Sequence, residues 1–88
     1  MMAAAPLFLA EAAPAAPTGV SASAASPQSA VVRWTSVVSG ATGYKVMRAG
    51  PTGAFAEVGR VSGATTLTFA DTGLTPNRQY RYQVIALG

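Results

Sequence analysis

The sequence contains no cysteine and no histidine. Without cysteine there can be no disulfide framework and no thiolate metal site. Without histidine the chain lacks the side chain that most often serves as a general base or a metal ligand. We therefore expect neither a metal nor another cofactor.

Charged residues are also scarce, at 10% of the 88 residues. The three carboxylates, Glu11, Glu57 and Asp71, lie far apart in the sequence, and the many serines and threonines have no evident base to activate them. No glycine-rich segment has the strand-to-helix setting of a phosphate-binding loop. The sequence therefore predicts that the protein is not an enzyme.

The six basic residues give a net charge of +3 but are spread along the chain. A nucleic-acid site would need clustered cations with stacking aromatics, so we expect no nucleic-acid partner. The longest apolar run is far too short to span a membrane. A surface rich in neutral Ser, Thr, Ala and Gly is typical of one that contacts other protein.

Apolar residues alternate with polar or small ones over residues 67–70 and again over 79–86, which predicts two half-buried strands. Residues 71–73 and 76–77 break the alternation with turn residues. Gly59 indicates a bulge or an edge position. Similar patterns predict a linker and first strand at 14–25, and strands at 29–36, 43–49 and 55–61.

The run from Phe69 to Val84, F-x-D-x-x-L-x-P-x-x-x-Y-x-Y-x-V, resembles the E–F region of a fibronectin type III domain. Trp34 in the second strand, and the pattern Y-x-V-x-R from residue 44, also resemble that family. The resemblance covers residues 14–87. It implies an all-β, immunoglobulin-like (fibronectin type III) sandwich of two sheets, with six of the family's seven strands.

The resemblance also implies roles for particular residues. The hydroxyl of Tyr80 should bond to backbone near Leu74, as a tyrosine corner. Trp34 should lie in the centre of the sandwich; a sugar-stacking role would need an exposed ring. The expected core is Val20, Val32, Trp34, Tyr44, Val46, Phe69, Leu74, Tyr80, Tyr82 and Val84.

The first 17 residues differ in composition from the rest, being rich in Ala and Pro around Leu7-Phe8-Leu9. A secretory signal peptide is one interpretation, but there is no basic region, Pro6 interrupts the apolar cluster and Glu11 follows closely. A flexible tail is another. We favour a docking arm over residues 1–13, followed by the domain at 14–88.

The family's seventh strand would pair with the strand at 79–86, and no such strand follows it in this sequence. An uncovered edge aggregates, so we expect something to cover it. The arm is the candidate. A sandwich of this kind is about 30 Å long, whereas the link from Ala12 to Pro17 spans at most about 20 Å. An antiparallel arm could therefore hardly return to its own first strand.

We therefore expect the arm to complement the open edge of a neighbouring copy, which would build a ring or a filament. Parallel insertion in the same chain, or cover by a partner protein, remains an alternative. The residues expected at this contact are Leu7, Phe8 and Leu9 of the arm, and Arg81, Gln83 and Ile85, which alternate with the core residues of the last strand.

Two classes of function fit these features. The first is a structural subunit of bacterial or phage type that self-assembles or coats a filament, capsid or tail, with copies of itself or a larger protein assembly as partner. The second is an extracellular binding or spacer module of a secreted bacterial enzyme. The first predicts a virion location and the second an extracellular one.

Overall fold

The computed structural model describes residues 7–10, 17–35 and 38–88. Within these ranges the chain is all β, and no helix occurs. The strands are β1 (Leu7–Ala10), β2 (Ser21–Ser26), β3 (Ser29–Arg33), β4 (Gly43–Ala49), β5 (Ala56–Ser62), β6 (Thr68–Asp71) and β7 (Gln79–Leu87).

The strands form two sheets that pack as a sandwich. One sheet has four strands in the order β1-β7-β4-β5, and the other has three in the order β2-β3-β6. The pairings between β2 and β3, β3 and β6, β4 and β5, and β4 and β7 are antiparallel, whereas β1 pairs with β7 in parallel. The predicted two-sheet immunoglobulin-like sandwich is confirmed.

The turn between β2 and β3 is hydrogen-bonded to the link between β6 and β7. Ser26 Oγ accepts the backbone N–H of Gln28 at 3.2 Å and bonds to Ser29 Oγ at 2.7 Å. The Gln28 carbonyl in turn accepts the N–H of Leu74 at 2.9 Å. Because Leu74 lies between β6 and β7, this bond holds the corner of the chain against the first hairpin.

Strand β5 carries the bulge that Gly59 indicated. Its register against β4 shifts between Val46 and Met47, which face Gly59 and Glu57. A Cβ atom at Gly59 would overlap the ring of Phe69 on β6. Glycine at this position therefore lets the two sheets approach each other at their edge strands.

The core lies between the sheets and consists of one cluster of buried side chains. Trp34 packs on Tyr44 with ring centroids 5.3 Å apart. The Tyr44 hydroxyl donates to the carbonyl of Ala64 at 2.8 Å and accepts the N–H of Val38 at 3.2 Å, so this buried phenol is fully paired. The buried members are Ala30, Val32, Trp34, Tyr44, Val46, Leu74, Tyr80, Tyr82 and Val84.

Two of the residues expected in the core, Val20 and Phe69, are half-buried and pack against it from the side. Phe69 belongs to β6 and Val20 directly precedes β2, and these are the two edge strands of the three-stranded sheet. An edge strand has a neighbour on one side, which leaves part of such a side chain open to water.

Candidate functional site

The arm strand β1 closes the edge of β7 within the same chain. Leu7 lies opposite Gln79 and Ala10 opposite Tyr82, in parallel register. Phe8 is half-buried against the core, and its ring centroid lies 5.6 Å from that of Tyr82. The side chains of Leu7 and Leu9, and Glu11 with the rest of the link, lie outside the described residues.

This parallel direction corrects the expected geometry of the arm. The length argument assumed an antiparallel arm, whose end would lie at the wrong pole of the sandwich. A parallel arm runs in the same direction as β7, and in the structure β1 pairs with β7 of its own chain. Exchange of the arm between copies stays a prediction.

A buried carboxylate lies next to this edge and joins the two sheets. Asp71, at the end of β6, is 5% exposed. Nη1 of Arg48 on β4 donates to both of its oxygens at 3.0 and 2.9 Å, and the Tyr82 hydroxyl on β7 donates to Oδ2 at 2.6 Å. The three side chains form an inter-sheet staple, which we name after these residues the Asp71 staple.

Electrostatics of the Asp71 staple keep its phenol neutral and its guanidinium charged. Burial, and then the hydrogen bond to Asp71, raise the pKa of Tyr82 well above its ordinary value. Burial lowers the pKa of Arg48, but the hydrogen bond to Asp71 and its charge together outweigh burial, and the net pKa is raised. The Tyr82 hydroxyl therefore remains a donor, and Arg48 remains a cation, over the whole physiological pH range.

The sequence analysis placed Asp71 in a turn and missed its role. The alternation along β4 could have indicated it, because Arg48 lies on the same face of the strand as Tyr44 and Val46, which face the core. An arginine on an inward-facing position requires a buried anion. Asp71 is the one carboxylate in the motif from Phe69 to Val84, so the pairing could have been inferred.

The corner between β6 and β7 has the expected tyrosine. Tyr80 is buried, and its hydroxyl accepts the backbone N–H of Thr75 at 2.7 Å. Asn77 in the same turn has a φ of 64°, the left-handed conformation that asparagine tolerates. The hydroxyl thus satisfies a backbone donor at a point where the chain passes between the sheets.

The remaining predicted contact residues, Arg81, Gln83 and Ile85, are half-buried on β7 and lie opposite residues of β4. Arg81 has a structural task. Its Nε donates to the carbonyl of Gly50 at 2.9 Å and its Nη2 to the carbonyl of Gly53 at 2.6 Å. It therefore fastens the turn between β4 and β5.

Comparison with known proteins identifies the family. A family model described as fibronectin type III domain matches residues 15–88. The chain belongs to the fibronectin type III family. Domains of this family are generally non-catalytic, and membership implies a binding or spacer module.

The solved structure of titin kinase and its flanking domains is similar to this fibronectin type III domain, with a TM-score of 0.67 and 24% sequence identity. The match covers 98% of this chain and 15% of the titin chain, so this chain spans a small part of that protein. The likeness therefore concerns the fold alone. A search of curated proteins found no match.

The fibronectin type III domain buries its single tryptophan. Trp34 is 2% exposed and packs on Tyr44, so its ring is not presented to a ligand. No partner for its indole nitrogen occurs among the described residues, and residues 36–37, directly after this strand, are outside them. Its position agrees with the centre of the sandwich rather than with a sugar-binding surface.

Both carboxylates in the described part of the fibronectin type III domain are engaged by arginines. Glu57 accepts from Arg60 at 2.7 Å on the surface, and Asp71 belongs to the staple. Residues 7–10, 17–35 and 38–88 contain no group of three or more potential metal ligands. They also contain no helix long and apolar enough to cross a membrane.

One open depression, of about 180 Å³, occurs beside the end of β7. It is lined by Val38, Ser39, Gly40, Ala41, Ala86, Leu87 and Gly88. These residues offer one side-chain hydroxyl and no charged side chain, so the depression has little with which to orient a small molecule.

Proposed function

We propose that this fibronectin type III domain is a self-contained, non-catalytic binding or spacer module that acts through contacts with other proteins. The observation that carries the proposal is the parallel pairing of β1 with β7. By pairing β1 with the nine-residue β7, the domain covers a long strand of its own and leaves a four-residue strand at that edge of the sheet, and a very short edge strand pairs less readily with other chains.

Two further features support a module that keeps its shape. The Asp71 staple fastens the two sheets to each other, and Arg81 fastens the turn between β4 and β5. The three tyrosines of the core all have hydrogen-bonded hydroxyls. A spacer or binding surface depends on such rigidity because loose elements would add an ordering cost to every contact.

A second candidate is a self-assembling subunit of bacterial or phage type, in which β1 is exchanged between copies in place of a seventh strand. The supporting observation is the small size of the arm contact: β1 pairs four residues with β7, and Phe8 is half-buried there. Such a contact contributes little to the free energy of folding, so releasing the arm for exchange between copies would cost little free energy. This candidate expects a filament or particle coat, on a virion or outside the cell.

Cysteine pairs placed by the β1–β7 register distinguish the two candidates, because the chain has no cysteine of its own. Leu7 and Gln79 are register partners. Neighbouring strands place such partners about 5 Å apart, within disulfide range. The Leu7→Cys/Gln79→Cys variant should therefore oxidise to a disulfide inside one chain, and Leu7→Cys/Gln83→Cys, displaced by about 13 Å along β7, should not.

The readout is mass under non-reducing conditions together with light scattering of the native protein. A self-contained module gives a cross-linked monomer, whose mass is close to the 8.8 kDa of the unsubstituted chain. Covalent dimers or longer chains from Leu7→Cys/Gln79→Cys would show that the arm belongs to a neighbour and would favour the assembling subunit. Deleting residues 1–13 should lower stability in either case, so the deletion serves as a control for the importance of the arm.

A further inference from the structure

The arm strand β1 is held to the domain by a small contact. It pairs with four of the nine residues of β7. The pairing is parallel, and parallel ladders are slightly less stable per residue than antiparallel ones. On its other side β7 pairs with β4 over seven residues, so its place in the sheet does not depend on β1. The arm can therefore leave β7 while both sheets stay intact.

Phe8 shows what kind of side chain the edge of β7 accepts. Its ring centroid lies 5.6 Å from that of Tyr82, with the ring planes inclined by 46°, and it packs against the core. Tilted ring pairs of this kind add to the gain from apolar burial. The edge thus combines the backbone groups of a strand with a place for one aromatic ring. Strand addition uses these two elements, the first for affinity and the second for specificity.

Strand β7 offers more backbone than β1 uses. In the described part of the chain, the pairing with β1 ends at Tyr82, and β4 is the one strand that pairs with residues 83–87. Val84 is fully buried and Ala86 packs against the core, so the core-facing side of β7 stays apolar beyond Tyr82. An added strand as long as the nine-residue β7 would make about twice the backbone pairing of the four-residue β1.

The opposite edge of the same sheet is built differently. There β5 carries the bulge at Gly59 and the ion pair between Glu57 and Arg60. Bulges and charged side chains both disfavour pairing with a further strand. Residues 83–87 of β7 are all uncharged. Of the two edges, that of β7 is the one suited to accept a strand.

A second copy of the chain gains little from this edge. Its arm has the same sequence, so exchange replaces one β1 by an identical one and adds no contact, whereas association costs translational and rotational freedom. The chain's own arm is tethered and competes at an effective concentration on the order of millimolar. A segment of another protein can win this competition if it pairs with more of β7 than β1 does.

We propose that the edge of β7 is a strand-addition site for another protein, and that β1 is its built-in competitor. The partner's segment is extended and mainly apolar, about as long as the nine-residue β7, with an aromatic side chain at the position of Phe8. Since the site is open only while the arm is released, β1 lowers the apparent affinity and excludes weak segments. The inference rests on the proposed binding function and names its site and the partner's chemistry.

The test is titration of the full chain with the capped peptide Ala-Pro-Leu-Phe-Leu-Ala-Thr-Val-Thr-Val-Lys-Lys, observed through the backbone amide signals by NMR. This peptide repeats residues 5–10 and continues their alternation. The signals of β7 should shift in a saturable way, and those of β5 should not. Replacing the peptide's Phe by Ala should weaken binding about fivefold, as expected for the loss of a half-buried ring. A capped peptide of residues 5–10 alone should bind more weakly than the long one.

Variants of the chain test the competition by β1. The disulfide of oxidised Leu7→Cys/Gln79→Cys holds the arm on β7 and should abolish binding, and the reduced form of the same chain is the matched control. Phe8→Ala weakens the competitor, so it should tighten binding of the long peptide, by up to about tenfold if the arm is released for about a tenth of the time.

Three results would overturn the proposal. The first is the absence of saturable β7 shifts in the unsubstituted chain. The second is equal binding by the oxidised and reduced double-cysteine chains, which would place the peptide elsewhere. The third is equal affinity for the short and long peptides, which would favour the arm of a second copy as the occupant. The module itself would survive any of them, because the mass and light-scattering measurements above are made without peptide.

Discussion

Replacing Asp71 by asparagine should destabilise the domain by about 2–3 kcal/mol. Removing one partner of a buried ion pair costs about 3–5 kcal/mol when the remaining charge is left without water. Here the side chain of Arg48 is 28% exposed, so its charge regains part of its hydration. The Tyr82 hydroxyl, which is buried and donates to Asp71 at 2.6 Å, keeps an amide oxygen as a weaker acceptor. Both points place the expected loss below the full cost.

Urea unfolding followed by the fluorescence of Trp34 measures this loss, because the single tryptophan lies in the core at 2% exposure. Glu57→Gln is the control: it removes a carboxylate from the exposed pair with Arg60 and should leave the transition unchanged. A double-mutant cycle of Asp71→Asn with Arg48→Met isolates their coupling. If Asp71→Asn moved the free energy of unfolding by less than about 0.5 kcal/mol, a value typical of ordinary surface positions, the Asp71 staple would not hold the sheets together.

Two further predictions concern Tyr82 of the staple and Gly59 on β5. Because the pKa of Tyr82 is raised above its ordinary 10.0, the phenol is neutral in both states below pH 10, and its contribution is then complete. Above pH 10 the unfolded chain loses that proton first, so stability should fall with rising pH by up to about 1.4 kcal/mol per unit. Tyr82→Phe should remove this part of the slope in unfolding measurements at pH 9–11; an unchanged slope would assign it to other groups. Gly59→Ala should cost about 1–3 kcal/mol by overpacking against Phe69. The double substitution with Phe69→Leu should recover part of that loss, and simple additivity would contradict the overlap.

The alternation of apolar and polar residues, together with the turn residues, predicted most of the strands. This works because a strand with one buried face needs an apolar side chain at every second position. The predicted strand at 43–49 coincides with β4, and β7 extends one residue beyond the predicted 79–86. Strand ends were less accurate: β3 ends at Arg33 because the next backbone bond, from the N–H of Trp34 to the carbonyl of Leu67, lies beyond the regular ladder. Such endings depend on the partner strand, which a local pattern does not contain.

The candidate contact surface was harder to predict than the fold. Arg81, Gln83 and Ile85 were assigned to the outer face of β7 only because they alternate with its core residues. The structure shows that Arg81 holds a turn by hydrogen bonds to its carbonyls. The carbonyls that it binds, those of Gly50 and Gly53, are 28 and more residues away in the chain. No pattern within a single strand indicates which distant backbone groups a long side chain will reach.

The sequence by itself determined the all-β sandwich and its tyrosine corner, since side-chain period, turn residues and a motif of fixed spacing are local properties. Tertiary structure alone decided the rest. It set the parallel direction of β1, the burial of Asp71 between Arg48 and Tyr82, and the approach of Arg78 and Arg81 to Gly50. Each of these features depends on which distant segments come into contact once the sheets have packed. The sequence next to each of these charged and hydrogen-bonding groups does not indicate its partner.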